Sequence, residues 1–515
     1  MIPLVLVYTA LLVYLGRLGR RKARACDFVM GGRQFTATKV FFMISALWCS
    51  WIFTVEIESA YLFGVSAVWF GISVGVMATA GGLLLKTRFA KLSYVTNSRL
   101  LGERFGTLAG VLAGLVLSVT FPIFAMSNVL AAAAFIHAVT KWSFLGTLVG
   151  TAIVIVSYII GGGIWALAYV QIANFITISI GLLVGTVVVL HTDSLSALAA
   201  HLPAGFLKWD GVGVSTILLW LFSTLLGVMS AQAEFQILMA ASDHGSARRG
   251  LGWAMVSVGI FAVLSAVIGL CVRAGTSNHS MYAVLALPEF FIRNASRDVV
   301  AVMALAMWAS ALAWSAPLIF SGASSMGIDV IRPGFRNRFG DATKLSVQIC
   351  LPVQAALVVL YALARPDHLA WWQMFSLTIR NGAIFAPTLA LLVWPVVQKK
   401  AAVMSMILGS GSGLLWNILG RFSTEHFVLG IDPMWIAAIA GIVSLVLMTL
   451  LSGLRVHKLD VTAANSCWGW TSVAALIASG MLVVARWGTH FFTGPLVLTM
   501  SLSVLILCAL VVREK

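Results

Sequence analysis

The sequence predicts an all-α polytopic membrane protein, and composition and block length carry that prediction. Hydrophobic residues make up 60% of the 515 residues and charged residues 10%, whereas soluble domains contain about 25% charged residues. The apolar residues fall in blocks of about 20, the length at which a helix crosses ~30 Å of hydrocarbon. Alternating segments of about ten residues, which are typical of membrane barrels, are absent. Because lipid offers the backbone no hydrogen bonds, the blocks must form closed helices.

The apolar blocks predict about 13-15 transmembrane helices. The polar stretches between them are short, and no linker or soluble domain interrupts their succession. The predicted spans, in chain order, are 1-16, 39-63, 66-85, 107-136, 144-160, 165-191, 214-240, 251-273, 299-327, 346-364, 372-397, 401-420, 434-453, 469-485 and 491-512.

The basic residues predict the orientation in the membrane. A net charge of +16 would indicate nucleic-acid binding only on a basic soluble domain, and no polar stretch is long enough to form one. When alternate loops are assigned to opposite sides, most of the 33 Lys and Arg residues lie on one side, which the positive-inside rule makes cytoplasmic. We therefore expect an outside N-terminus, a cytoplasmic C-terminus and a location in a bacterial inner membrane.

Motifs for enzymes and cofactors are missing from the sequence. It contains no GxxxxGK[ST] or HExxH pattern, so neither a nucleotide-driven pump nor a metalloprotease of the HExxH type is expected on this chain. The six cysteines show no CxxC spacing, which argues against a metal site and a disulfide framework. We expect no enzyme activity and no organic cofactor.

Acidic residues well inside the predicted spans are few, namely Glu56, Glu58 and Glu234. A carboxylate at membrane depth costs roughly 2.5 to 3.5 kcal/mol, so each is expected to face a cavity, a partner or a pathway. Glu56 and Glu58 lie about 200° apart around a regular helix, so both face one site only if the helix is broken. All three are candidate proton or charge sites.

Arg380 is the matching embedded base, in a stretch where Gly382 and Pro387 predict a helix break. Two interpretations remain open: an ion pair with an acid of another helix, or a counter-charge for a solute carboxylate. Trp48 and Trp51, which flank Ser50, can form an aromatic wall for a solute, for instance for an alkylammonium group. The alternative is that these tryptophans are ordinary interface anchors.

Six motifs in the order of the predicted helices resemble those of the sodium:solute symporter family. The resemblance covers roughly residues 27 to 420. The motifs are Asp27 to Arg33, Tyr61 to Gly64, Tyr94 to Gly106, Gly161 to Ala166, Gln232 to Gln236 and Ser324 to Asp329.

The resemblance implies an inverted repeat of two five-helix units, at 39-191 and 214-397. An extra helix and a basic loop precede them at 1-38, and accessory helices follow at 401-515. The resemblance also implies a sodium site between the first and eighth core helices, with main-chain ligands at Ala46 and Cys49. If the chain is a carrier of this type, we expect a break in the helix containing Cys49 and a central cavity beside it.

On the eighth core helix, the hydroxyl positions implied by the resemblance fall at Ser310, Ala313 and Trp314, and Ser315 contributes only if the register shifts. Alanine and tryptophan offer a hard cation no side-chain oxygen. Gln171 also stands where the family has an acid. Three possibilities stay open: sodium held by carbonyls, proton coupling through the embedded glutamates, or transport without coupling.

The function expected from these observations is cation-coupled symport of a small organic solute by alternating access. The expected solute-binding residues are Trp48, Ser50, Trp51, Gln232 and Arg380, beside the cation positions Ala46, Cys49, Ser310, Ala313 and Ser315. A sensor or an uncoupled carrier that keeps the fold is the alternative, and a channel is disfavoured because a single asymmetric chain shows no polar ring. The embedded charges permit either an amine, a zwitterion or a carboxylate as solute.

Overall fold

The structure, a computed structural model, describes residues 2–23, 27–84, 96–192, 202–276, 283–332, 343–364, 369–393, 397–423, 428, 435–453, 467–485 and 503. This part of the chain is built from α-helices. They are α1 Ile2–Lys22, α2 Ala37–Phe63, α3 Val68–Leu84, α4 Asn97–Phe105, α5 Thr107–Thr140, α6 Phe144–His191, α7 Val214–Gly227, α8 Gln232–Met239, α9 His244–Gly275, α10 Ala283–Asn294, α11 Arg297–Ser325, α12 Thr343–Ala364, α13 Leu369–Arg380, α14 Ala386–Val393, α15 Lys399–Leu419, α16 Ile436–Gly453 and α17 Cys467–Ala485.

Each predicted span from 1-16 to 469-485 matches one helix, a consecutive pair or half of a long helix, whereas the short helices α4 and α10 lie between predicted spans. The last predicted span, 491-512, lies outside the described residues apart from 503. Within the described part, eight helical stretches are long and apolar enough to cross a membrane, or nine when the bent pair α7 and α8 counts as one span.

The 48-residue helix α6 is long enough for two membrane crossings. A straight helix of that length would measure about 72 Å, more than twice the hydrocarbon thickness. It bends at Gly163, whose backbone has φ 55° and ψ −135°. A Cβ at this position would lie 2.1 Å from the carbonyl oxygen of Phe28, and the neighbouring Ile164 amide donates to that oxygen at 3.0 Å. Only glycine permits both the conformation and the contact.

Three further irregular segments interrupt the spans. A 3₁₀ turn, Val228–Ser230, separates α7 from α8, and the two helices meet at 55°. A π-helical segment, Met326–Ile331, continues α11, and another, Asn381–Phe385, joins α13 to α14. The break predicted around Gly382 is therefore a π-helical turn that begins directly after Arg380. Such turns are frequent at functional sites.

Helix α2 is continuous from Ala37 to Phe63, so the break predicted in the helix containing Cys49 is wrong. Helix α2 is unbroken because its sequence contains neither glycine nor proline, which are the usual causes of a sharp kink. Glu56 and Glu58 therefore point in different directions. The helix lies in the centre of the bundle, packed against α6, α9 and α11.

Candidate functional site

Four buried rings meet between α2, α5 and α11, and we call them the aromatic cluster: Trp48, Trp51, Phe124 and Trp314. Trp51 and Trp314 stack with centroids 5.5 Å apart, Trp48 lies 5.7 Å from Trp314, and Phe124 lies 5.0 Å from Trp314. Trp48 and Trp51 share one face of α2 because they are three residues apart. The structure thus brings the two predicted tryptophans together with Trp314. On sequence alone, Trp314 is only a cation position that has no side-chain hydroxyl.

The three indole N–H groups of the cluster have different partners. Trp314 Nε1 donates to the Phe124 carbonyl oxygen at 2.8 Å, and Trp51 Nε1 donates to Gln373 Oε1. The Trp48 indole faces the Glu234 carboxyl, although neither group makes a hydrogen bond of ordinary geometry within the described part. The Trp48 side of the cluster therefore retains unused hydrogen-bonding capacity.

The Arg380 guanidinium lies against the same cluster. Its Cζ is 4.5 Å from the centroid of the Phe124 ring and 5.2 Å from that of Phe121, and the side chain is only 2% exposed. Among the described residues, no group hydrogen-bonds its Nε or Nη2 atom. A buried charge without an anion is costly, so the ion pair considered for Arg380 is not formed with any described acid.

The embedded acids occupy different surroundings. Glu56 Oε2 accepts from the Gly71 amide at 3.1 Å, and Glu58 is buried further along α2 and has an interaction partner. Both carboxyl oxygens of Glu234 lack a hydrogen-bond donor in the described part. Glu234 is thus a buried acid without a described hydrogen bond, and it faces Trp48 of the aromatic cluster.

Gln232 belongs to a polar network that joins α4, α8 and α11. Its Oε1 accepts from the Asn97 amide at 2.9 Å, and its Nε2 donates to Ser321 Oγ at 2.9 Å and Ser325 Oγ at 2.8 Å. Asp329 closes the same region by accepting from Thr96 and Ser98, each at 2.6 Å. The Gln232 amide is already engaged on both sides, so these contacts assign it to helix packing.

The predicted cation positions are only partly brought together. Ala46 and Cys49 are fully buried on unbroken α2, where each carbonyl accepts within the helix. Ser310 Oγ lies 2.9 Å from the Ser50 carbonyl oxygen, whereas Ser50 Oγ donates to Leu47 of its own helix. Ser315 Oγ turns to α5 and donates to the Ala125 carbonyl at 2.9 Å.

Several residues of this region were missed by sequence reasoning. Asn128 Nδ2 donates to the Ser50 carbonyl and to Ser310 Oγ, both at 2.9 Å, and Thr54 Oγ1 lies 2.7 Å from Ser310 Oγ. Gln373 links Trp51 to Ser127. Each is an amide or hydroxyl inside an apolar span, and that polarity was the available signal.

The fold and this polar interior define a multi-pass membrane transporter. A family model described as "Sodium:solute symporter family" matches residues 28–409, and the chain belongs to that family. The match and the fold support a cation-coupled symporter.

Two known proteins are similar to this chain. The chain is 23% identical to the high-affinity proline transporter PutP of Bacillus subtilis (strain 168) over 426 residues, which are 78% of this chain and 88% of that protein. It is similar in structure to a Na⁺-coupled sialic acid symporter in a substrate-bound outward-open state, with a TM-score of 0.70 and 13% identity over 88% of this chain and 97% of that one. This likeness confirms the predicted all-α polytopic, inverted-repeat fold.

Proposed function

We propose that this chain takes up a small organic solute bearing a carboxylate, and that the carboxylate pairs with Arg380. The observation that carries the proposal is the buried guanidinium, two of whose nitrogen atoms have no described hydrogen-bond partner. A planar guanidinium matches a carboxylate through two parallel hydrogen bonds. The solute would thereby neutralise a charge that the solute-free protein leaves uncompensated.

The aromatic cluster would contact the remainder of the solute. Its rings lie on α2, α5 and α11 and are almost completely buried, so an apolar or weakly polar body fits them better than a highly hydroxylated one. A zwitterion is compatible as well, because an ammonium group is attracted to the face of an indole ring. Ser50, whose hydroxyl is engaged within α2, would contribute little.

A proton is the coupling ion that we propose, with Glu234 as its site. A carboxyl group in this buried position is stable only as the neutral acid or with a cation beside it, and no described basic residue forms an ion pair with it. Glu234 opens helix α8 directly after the 55° bend, where rearrangement of α7 and α8 can change its access to water. Its contact with Trp48 links protonation to the solute site.

Transport would proceed by alternating access, with the repeats 39-191 and 214-397 moving relative to each other around this site. The charge distribution of the loops supports an outside N-terminus and a cytoplasmic C-terminus in a bacterial cell membrane. The bilayer is the partner that this arrangement requires.

A sensor or uncoupled carrier is the second candidate, and the unbroken helix α2 favours it. A helix without a hinge near Cys49 offers less freedom for the rearrangement that transport requires. The two candidates differ in one measurable respect: a sensor binds its solute but does not accumulate it.

The deciding experiment is uptake into proteoliposomes under an imposed proton gradient. Labelled solutes would be offered in matched sets: a free carboxylic acid, the same compound as its methyl ester, a zwitterionic amino acid, an amine and a sugar. We expect accumulation of a solute with a free carboxylate, loss of uptake for its ester, and collapse of accumulation when a protonophore is added. Uptake of the ester as fast as the acid contradicts the role of Arg380, and binding without accumulation favours the sensor.

A further inference from the structure

We propose that the side-chain amide of Gln171 takes the place of a coupling cation beside α11, so that the packing of this helix is stable without sodium. The family resemblance puts a sodium site between α2 and α11, and the residues present do not fit that ion. The donors that replace the ion can be named from their hydrogen bonds.

A chain of four buried residues leads from α1 to α11. Tyr8 O–H donates to Asn174 Oδ1 at 2.8 Å, Asn174 Nδ2 donates to Gln171 Oε1 at 3.0 Å, and Gln171 Nε2 donates to the Ala313 carbonyl oxygen at 2.8 Å. Asn174 and Gln171 are fully buried, and Tyr8 is 6% exposed. This series of side-chain hydrogen bonds therefore connects three helices, α1, α6 and α11.

The Ala313 carbonyl, at the end of this series of hydrogen bonds, fixes the direction of every bond in the series. A carbonyl oxygen can only accept, so the Gln171 NH₂ group must face Ala313. The Gln171 oxygen then faces Asn174, whose NH₂ group must donate to it, and the Asn174 oxygen is left to accept from the Tyr8 hydroxyl. Because each step has one consistent orientation, a partially positive N–H group points steadily at the α11 carbonyl.

The other oxygens that a cation would need are engaged in the same way. Asn128 Nδ2 donates to both the Ser50 carbonyl and Ser310 Oγ, so a second amide serves the α2 side of the contact. The Ser315 hydroxyl donates to Ala125 on α5, and the Trp314 indole donates to Phe124. Sodium prefers oxygen ligands, and here neutral N–H and O–H donors already satisfy the available ones.

The Gln171 amide on α6 thus binds α11 permanently, and the Asn128 amide on α5 binds both α2 and α11. A bound cation would join these helices only while it is present. The inference concerns this contact and does not depend on the carboxylate proposed for Arg380. Tyr8 is a positioning residue in it, because it acts on Ala313 only through Asn174 and Gln171.

The test compares thermal unfolding of the full-length chain in sodium chloride and in choline chloride of equal ionic strength. We expect the same melting temperature for the wild-type chain in both salts, and no saturable binding of radioactive sodium in equilibrium dialysis. A ligand that binds the native state raises the melting temperature, so saturable stabilisation of the wild-type chain by sodium overturns the inference.

A gain-of-response variant makes the test sharper. Gln171→Asp replaces the amide that donates to the Ala313 carbonyl by a shorter, negatively charged carboxylate, which leaves room for a cation between the two groups beside α11. We expect a lower melting temperature in choline that sodium raises by several degrees, whereas Gln171→Ala is destabilised equally in both salts. An unresponsive Gln171→Asp also overturns the inference.

Gln354→Asp is the matched control. Gln354 is a fully buried glutamine on α12 whose Nε2 donates to the Ser118 carbonyl at 3.0 Å, and it takes no part in the hydrogen bonds of Gln171 or Asn128. We expect no specific response of this variant to sodium. A response equal to that of Gln171→Asp would show that any buried aspartate attracts the ion, and it would overturn the inference. If the Gln171→Asp chain does not fold, sodium dialysis of the wild-type chain and of Tyr8→Phe decides: absence of saturable binding in both supports the inference, and binding in either overturns it.

Discussion

Replacing Arg380 by methionine should raise the stability of the solute-free protein while greatly weakening solute binding. The buried guanidinium has no described anionic partner, and the effective penalty for such a charge is several kcal/mol. Its contacts with the Phe121 and Phe124 rings return about 1–2 kcal/mol. Methionine keeps much of the side-chain volume, so the net gain in the free energy of unfolding should be about 1–3 kcal/mol.

The effect on binding has the opposite sign. Two charge-assisted hydrogen bonds contribute about 1.5–3 kcal/mol each, so their loss should weaken solute affinity by at least about a hundredfold. Thermal unfolding in detergent and equilibrium binding of the solute identified in the uptake assay measure the two effects on the same samples. Arg380→Lys keeps the charge but loses the planar fork, so we expect weakened binding without the gain in stability.

Arg273 provides the matched control, because its guanidinium lies 5.1 Å from the centroid of the Tyr61 ring, a similar cation–π contact outside the aromatic cluster. Arg273→Met should leave solute affinity unchanged. The reasoning is refuted if Arg380→Met lowers the melting temperature and leaves affinity intact, because Arg380 would then be a structural residue.

Three further predictions concern coupling and packing. Glu234→Gln should abolish accumulation driven by a pH gradient but retain solute exchange between equal concentrations, since the neutral amide mimics the protonated acid; retained accumulation would exclude Glu234 as the proton site. Gly163→Ala should lower the free energy of unfolding by at least about 2 kcal/mol, because its Cβ would clash with a backbone oxygen at 2.1 Å. Gly150→Ala on the same helix, with open space around the added atom, should be neutral in the same unfolding assay, and equal losses would contradict the backbone argument. Ser310→Ala should cost about 1–3 kcal/mol in thermal unfolding, because it removes hydrogen bonds that join α2, α5 and α11; a neutral variant would show that this contact is weak.

The helical segments could be predicted from sequence because the bilayer imposes a length on every apolar block. The bend at Gly163 falls within one of the six motifs, and the irregular turn after Arg380 coincides with the predicted break near Gly382. The break expected at Cys49 was wrong because it came from the resemblance, whereas the local sequence of α2 contains no residue that interrupts a helix. Local composition was the better guide to local backbone geometry.

The partners of the polar side chains could not be predicted in this way. Gln232 and Arg380 are both polar residues inside apolar spans, yet the first is hydrogen-bonded to α4 and α11 and the second faces aromatic rings. Ser310 and Ser315 are five residues apart on α11, yet one faces α2 and the other α5. Which helix a residue faces depends on the rotation and neighbours of its own helix.

The sequence alone therefore determined that this chain is a helical membrane protein, where its helices lie and which few polar residues are embedded, because the cost of polar groups in lipid acts on each segment independently. Only the tertiary structure decided that Trp314 joins Trp48 and Trp51, that Arg380 lacks a described anion, and that the Gln171 amide faces Ala313. These are contacts between helices far apart in the chain, and a hydrogen bond is decided by ångströms and angles that no spacing along the sequence specifies.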